Sequence, residues 1–240
     1  LPADTAESAV RDGAQSAARR RSRAARKAAR TRAENARLAA LWRYERELWS
    51  AGHRFIAGVD ESGVGPLAGP VVAAAVILPP DFRAPGLWEC KRLAADKRPQ
   101  FHALIVQRAL AVGVAVVDVD ELDRINIHQA GLKAMRAALD QLEAAPDCAL
   151  VDGFAIPGLA FFQRPIIDGD ASSMSIAAAS VVAKVTRDRI MERLDRLYPG
   201  YAFARHKGYA TREHREALAR LGPCPVHRRS FGPVREWMAG

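Results

Sequence analysis

The chain has little of what holds a protein together from outside a packed core. Cysteine occurs three times, at Cys90, Cys148 and Cys224. An odd number at such wide spacing makes neither a disulfide framework nor a zinc pattern, and it points to a reducing, cytoplasmic setting. No apolar run approaches the roughly 18 residues that a membrane span needs. The N-terminus lacks a signal-peptide apolar stretch, and Asp4, Glu7 and Asp12 argue against an Arg-rich transit peptide. Large apolar residues are almost missing from residues 1–33, which are mostly Ala, Arg and Ser. Such a stretch cannot bury enough surface to offset its ordering entropy. Residues 1–34 therefore read as a basic, disordered, transiently helical arm.

What is present suits a globular protein. The 240 residues, 49% of them hydrophobic, are enough for one large domain or a domain with a small appendage. The net charge of +9 is uneven: residues 1–50 carry 12 Lys/Arg against 6 Asp/Glu. Taken alone, that balance serves solubility as well as polyanion binding.

Periodicity predicts a helix from about Asn35, with Leu38, Leu41, Trp42, Leu48 and Trp49 on one face, stopped by Gly52. Strands follow near 54–60 and 69–78, then a helix near 95–111 and a strand near 114–119 that starts after Gly113. A long helix near 125–143, a strand at 148–152 and a fifth strand closing at Ile166-Ile167-Asp168 come next. A helix over 173–197, a helix near 212–220 and a Pro-rich tail finish the chain. Early strands followed by alternating strands and helices predict an α/β fold with a mixed sheet.

Two acidic residues enter a glycine turn in DESGVGPLAGP, from Asp60 to Pro70. Asp152 and Asp170 share that setting: each lies at or just past a predicted strand end, beside glycine. Strand ends are where open α/β sheets build sites. Taken singly, a strand-end Asp is as readily a turn former or a helix cap, and Asp168 or Asp170 could cap the following helix. Adjacent strand residues point to opposite faces, so Asp60 and Glu61 share a site only if the chain turns at Glu61. Together, Asp60, Glu61, Asp152 and Asp170 are an all-oxygen donor set fitted to hard cations, Mg²⁺ or Mn²⁺. Such a set could clamp a phosphate between two ions.

These segments resemble the ribonuclease HII family. AGVDESGVGPLAGPVVAAAVILP (57–79), INIHQAGLKAM (125–135), LVDG (150–153) and GDASSMSIAAASVVAKVTRDRIM (169–191) are similar to its motifs, in order. YPGYAFARHKGYAT (198–211) and LGPCPVHRRSF (221–231) resemble its C-terminal signature. The resemblance covers about residues 40–235. It implies a ribonuclease H-like mixed five-stranded sheet with helices on both faces and a C-terminal helical extension. On that basis 35–197 is the catalytic domain and 198–240 the substrate-binding extension. It also implies a monomeric endonuclease that cuts the RNA strand of RNA–DNA hybrids. Cutting 5′ of single ribonucleotides in duplex DNA, leaving 5′-phosphate and 3′-hydroxyl ends, is implied as well. Asp60, Glu61, Asp152 and Asp170 match the family carboxylates that hold Mg²⁺ or Mn²⁺ in a two-ion site. No membrane partner is implied.

The resemblance assigns ribose sensing to Gly63, Val64, Gly65 and Tyr209. On their own, the two glycines would suit a plain turn and Tyr209 a core position. Val64 stands where the family usually has Arg, Cys90 in Glu89-Cys90-Lys91 where it usually has Ser, and Ser172 where many members have Lys. Lys91, Lys184, Arg205, His206 and Lys207 are candidates for phosphate contact, as are Arg228 and Arg229, which could instead brace the tail. Lys184 could also orient a carboxylate, and His206 could be a backbone-bonded histidine. The rival functions are a non-catalytic nucleic-acid-binding protein of the same fold and a junction-resolving nuclease.

Overall fold

A computed structural model describes the backbone of residues 4–87 and 93–239, and the side chains of 23–87 and 93–238. Trp88, Glu89, Cys90, Lys91 and Arg92 lie outside the described residues. The chain divides into two compact units, 1–40 and 41–240.

The first unit is helical. Helix α1 runs Asp4–Leu41, so it starts about thirty residues before the expected Asn35. Its Ala, Arg, Lys, Glu and Gln content is that of good helix formers, whose propensities add up over a long window. The expected single helix to Gly52 is instead broken at Trp42, beyond which α2 runs Arg43–Ser50.

The second unit is built on a five-stranded sheet in the order β3-β2-β1-β4-β5. The strands are β1 Ile56–Ser62, β2 Val71–Ile77, β3 Ala111–Val117, β4 Cys148–Asp152 and β5 Phe162–Ile166. The β1–β2 and β2–β3 pairs are antiparallel, and the β1–β4 and β4–β5 pairs are parallel. Every residue of β2 is buried, which explains its unbroken apolar sequence VVAAAVI: both faces of the sheet are covered.

Alternation sorts the two faces. Ala57, Val59, Ala73 and Ala75 pack with Ala134, Met135 and Ala138 of helix α5 (Ile127–Asp140). Gly58, between Ala57 and Val59, faces the other helix, α7 (Met174–Leu197). Gly113 lies inside β3 rather than before it, because a Cβ there would sit 2.0 Å from the Ala138 carbonyl oxygen.

The helix expected over 125–143 is two helices, α4 (Val119–Ile125) and α5. Asn126, at φ 73°, breaks it and caps α5 by accepting from the Gln129 N–H. The fifth strand ends at Ile166, two residues short of the expected close, and a four-residue helix α6 (Gly169–Ser172) precedes α7. The N-cap of α7 is Ser173, reinforced by buried Glu45, which accepts from Ser173 Oγ and the Ser175 N–H. Neither Asp168 nor Asp170 fills that role. Helix α3 (Arg98–Arg108) lies between β2 and β3. The C-terminal part is helical: α8 (Phe203–His206), α9 (Arg212–Leu221) and α10 (Gly232–Ala239), the last where a Pro-rich tail was expected. None of the described helices is long and apolar enough to cross a membrane.

Candidate functional site

The parallel pairing of β1 and β4 starts the site. With Val59 opposite Val151, the next residues, Asp60 and Asp152, reach the same end of the sheet on neighbouring strands, whose spacing is about 4.8 Å. Asp170, on α6, is brought to them by a direct link: the Gly169 N–H donates to Asp152 Oδ1 at 2.7 Å. Glu61 remains within β1, which runs on to Ser62. The expected turn at Glu61 is therefore not needed. Three consecutive β1 residues, Asp60, Glu61 and Ser62, line the cavity, so alternation along the strand does not keep them apart.

That cavity, about 500 Å³, is lined by Asp60, Glu61, Asp152 and Asp170 together with Gly63, Val64, Gly65, Lys184 and Tyr209. Ser62, Arg98 and Ser180 complete its wall. Asp60 is 5% exposed, and its carboxyl is held well above the usual carboxylate range. Burial is the largest cause, followed by the charges of Glu61 and Asp152; a hydrogen bond from Ser180 acts the other way, and the charge of Asp170 adds to the rise.

A buried carboxylate surrounded by three others is costly unless positive charge joins it. The donor set is all oxygen, which fits Mg²⁺ or Mn²⁺. Among the described residues no three His, Cys, Asp or Glu side chains form a ready-made metal cage. Mg²⁺ does not require one: it keeps several waters and binds through one or two carboxylates plus substrate phosphates.

The other predicted residues divide. Lys184 lines the cavity, donates to Asp188 at 2.6 Å and lies 5.8 Å from the Tyr209 ring centre. Val64 and Tyr209 are 40% and 43% exposed, so both present apolar surface to the cavity. Arg205, His206 and Lys207 are not in its lining. Arg205 pairs with Glu213 and Lys207 with Glu192. His206 is buried, with Nε2 on the Tyr201 carbonyl and Nδ1 accepting from the Gly208 N–H. Its ring is occupied by backbone and has no nitrogen left for a phosphate or a proton transfer. Lys91 falls outside the described residues. Arg228 is fully buried, which removes it from phosphate contact.

Arg98 and Ser180 were missed by sequence reasoning. Ser180 had a usable signal: with Lys184, four residues on, it interrupts the Ala/Val run of α7 on one helix face. Arg98 had none, since it opens α3 far along the chain from every acidic residue of the site.

The family model for Ribonuclease HII matches residues 57–234. The chain is 57% identical over 194 residues to a ribonuclease HII of Geobacillus kaustophilus, covering 81% of this chain and 74% of that protein. Among solved structures, the ribonuclease H2 of Pyrococcus horikoshii OT3 matches with a TM-score of 0.65 at 23% identity, covering 78% of this chain and 98% of that one. The Bst ribonuclease HIII in complex with Mn²⁺ matches at 0.60 and 19% identity, covering 77% and 69%. At those identities the structures speak for the fold, a ribonuclease H-like sheet flanked by helices. The sequence matches speak for more: the chain belongs to the ribonuclease HII family.

Proposed function

We propose that this chain cuts duplex DNA 5′ of a single embedded ribonucleotide by two-metal-ion hydrolysis, leaving 5′-phosphate and 3′-hydroxyl ends. As a family member it is a metal-dependent endoribonuclease of RNA–DNA hybrids. The observation that carries the finer reading is one cavity with two kinds of wall. Asp60, Glu61, Asp152 and Asp170 form one; the Gly63-Val64-Gly65 turn and Tyr209 form the other.

The carboxylates would hold two Mg²⁺ or Mn²⁺ ions. When bound, such ions lower the pKa of a water and neutralise charge that builds on the phosphate and leaving oxygen. The chain's own residues do the rest. Ser180 orients the Asp60 carboxylate. The Gly169 N–H fixes Asp152, so α6 carries Asp170 toward it. Lys184 and Arg98 supply cationic charge for phosphates beside the scissile bond, with Lys91 a further contact from its segment. The turn brings backbone groups close to the sugar, where a 2′-hydroxyl distinguishes RNA from DNA. Tyr209 offers a ring face beside them.

The protein acts as a cytoplasmic monomer in this reading. Residues 35–197 carry the chemistry, 198–240 hold the duplex, and the basic segment 1–34 adds affinity for phosphate. The deciding experiment is cleavage of a duplex with one ribonucleotide against an all-DNA duplex, with Mg²⁺, Mn²⁺ or EDTA. A cut 5′ of the ribonucleotide with metal alone is expected. Cutting only of long hybrids would refute the single-ribonucleotide reading.

A further inference from the structure

Two adjacent residues near the C-terminus, His227 and Arg228, are fully buried and reach both parts of the wall assigned to the sugar. Arg228 donates Nη1–H to the Val64 carbonyl at 3.0 Å, Nε–H to the Gly69 carbonyl at 2.9 Å, and Nη2–H to the carbonyls of Gly63 and Pro70. Arg187 completes the cage, donating to Pro70, Ala68 and Lys207 carbonyls at 2.9–3.0 Å. Both guanidiniums are spent on main-chain oxygens. Burial and the neighbouring Arg187 pull Arg228 down to about 9. Placing two cations side by side in a dry interior is expensive, and a Lys, with one point charge, could not span four carbonyls.

His227 works through a chain of rings. Its Nδ1 accepts from the Cys224 N–H at 3.0 Å, which leaves Nε2–H to donate to His214 Nε2 at 3.0 Å. His214 then donates Nδ1–H to the Tyr209 carbonyl at 2.9 Å. The tautomers are fixed by their partners, and the chain ends on the residue whose ring lines the cavity.

We infer that His227 and Arg228 are positioning residues for ribose recognition: they hold the Gly63-Val64-Gly65 turn and Tyr209 in register as one sugar-reading surface. This rests on the assignment of that surface to the sugar. With the Gly63 and Val64 carbonyls tied inward, the peptide units of the turn have a fixed orientation toward the cavity. A shift of about 1 Å there costs on the order of 10²-fold in rate.

The test measures a ratio: the dissociation constant for all-DNA duplex over that for the same duplex with one ribonucleotide, together with kcat/KM on the latter. In Arg228→Lys the ratio falls toward one and kcat/KM drops about 10- to 100-fold, while the all-DNA constant stays within about twofold. His227→Leu behaves likewise, and His227→Gln, with an amide N–H in place of Nε2–H, restores most of the ratio. General loss of folded protein would weaken both duplexes equally. A variant ratio equal to the wild-type ratio overturns the inference. A wild-type ratio of one overturns instead the assignment of the wall to ribose. Should Arg228→Lys not fold, the Arg228 Nε–H resonance of the wild-type protein serves. It shifts with the ribonucleotide duplex and not with all-DNA; equal shifts with both overturn the inference.

Discussion

Gly58 of β1 and Ser175 of α7 touch backbone to backbone: a Cβ on Gly58 would sit 2.1 Å from the Ser175 carbonyl carbon. No flexible side chain can yield there. This contact seats α7 on the sheet and so places Ser180 against Asp60. Gly58→Ala should destabilise the protein by about 3 kcal/mol or more. It should also cut activity beyond the loss of folded protein, because α7 must lift. Urea unfolding followed by assay under folding conditions checks both.

Asp60 links stability to function with opposite signs. Its folded pKa is raised, so its contribution to folding is full below the unfolded value near 4 and is lost as pH rises through the folded value. At neutral pH without divalent ions the buried carboxyl among three other acidic groups is a burden. Asp60→Asn should then raise Tm by about 2–4 °C, equivalent to about 1 kcal/mol in a chain of this size, and lower kcat by about 10³-fold or more. Added Mn²⁺ should raise the wild-type Tm more than that of the variant. Thermal scans with EDTA and with Mn²⁺ decide the point; a Tm no higher in the variant with EDTA counts against it.

The pH response of the C-terminal part has the other sign. Burial, then the charge of His214, pushes His227 down to about 4 from 6.5, and His214 is lowered by burial too. His206, Cys224 and Tyr201 are the other titratable groups around the rings. The unfolded chain takes up the proton first, so stability is complete above about pH 6.5 and is lost as pH falls from about 6.5 to about 4. Each such proton contributes a slope of about 1.4 kcal/mol per pH unit. His227→Gln should flatten the Tm-against-pH profile across that window. An unchanged profile would place acid sensitivity elsewhere.

Residues 13–33 of α1 hold eight Arg/Lys and no Asp or Glu. Deleting residues 1–33 should weaken duplex binding and reduce the salt slope by about 0.9 for every phosphate that the segment neutralises. Titrations at several salt concentrations measure this, and an identical slope means α1 meets no phosphate.

The cavity's carboxylates were legible because acidic residues close to glycine near predicted strand ends leave a short chemical signature, as at Asp60-Glu61-Ser62-Gly63 and Asp152-Gly153. Gly113 misled for the same reason: as punctuation it marks a boundary, whereas here it lets Ala138 approach β3. Asn126 hid a break because its left-handed backbone is a local choice inside a helical pattern. His206 and Arg228 looked available to nucleic acid because burial is a tertiary property, and nothing in HRRSF distinguishes Arg228, fully buried, from its neighbour Arg229. The start of α1 was hidden because helix propensity competes with a lack of apolar residues, and in a stretch this rich in Ala and Arg the propensity wins.

The brace on the turn has a consequence for synthesis. Arg228 binds the Gly63 carbonyl across 165 positions of chain, so the two partners leave the ribosome far apart in time. A nascent polypeptide that stops short of Arg228 already contains every acidic group of the cavity but lacks the cation that braces the Gly63-Val64 turn. The Gly63 carbonyl thus gains its partner only once Arg228 has been made, long after the strand that carries it.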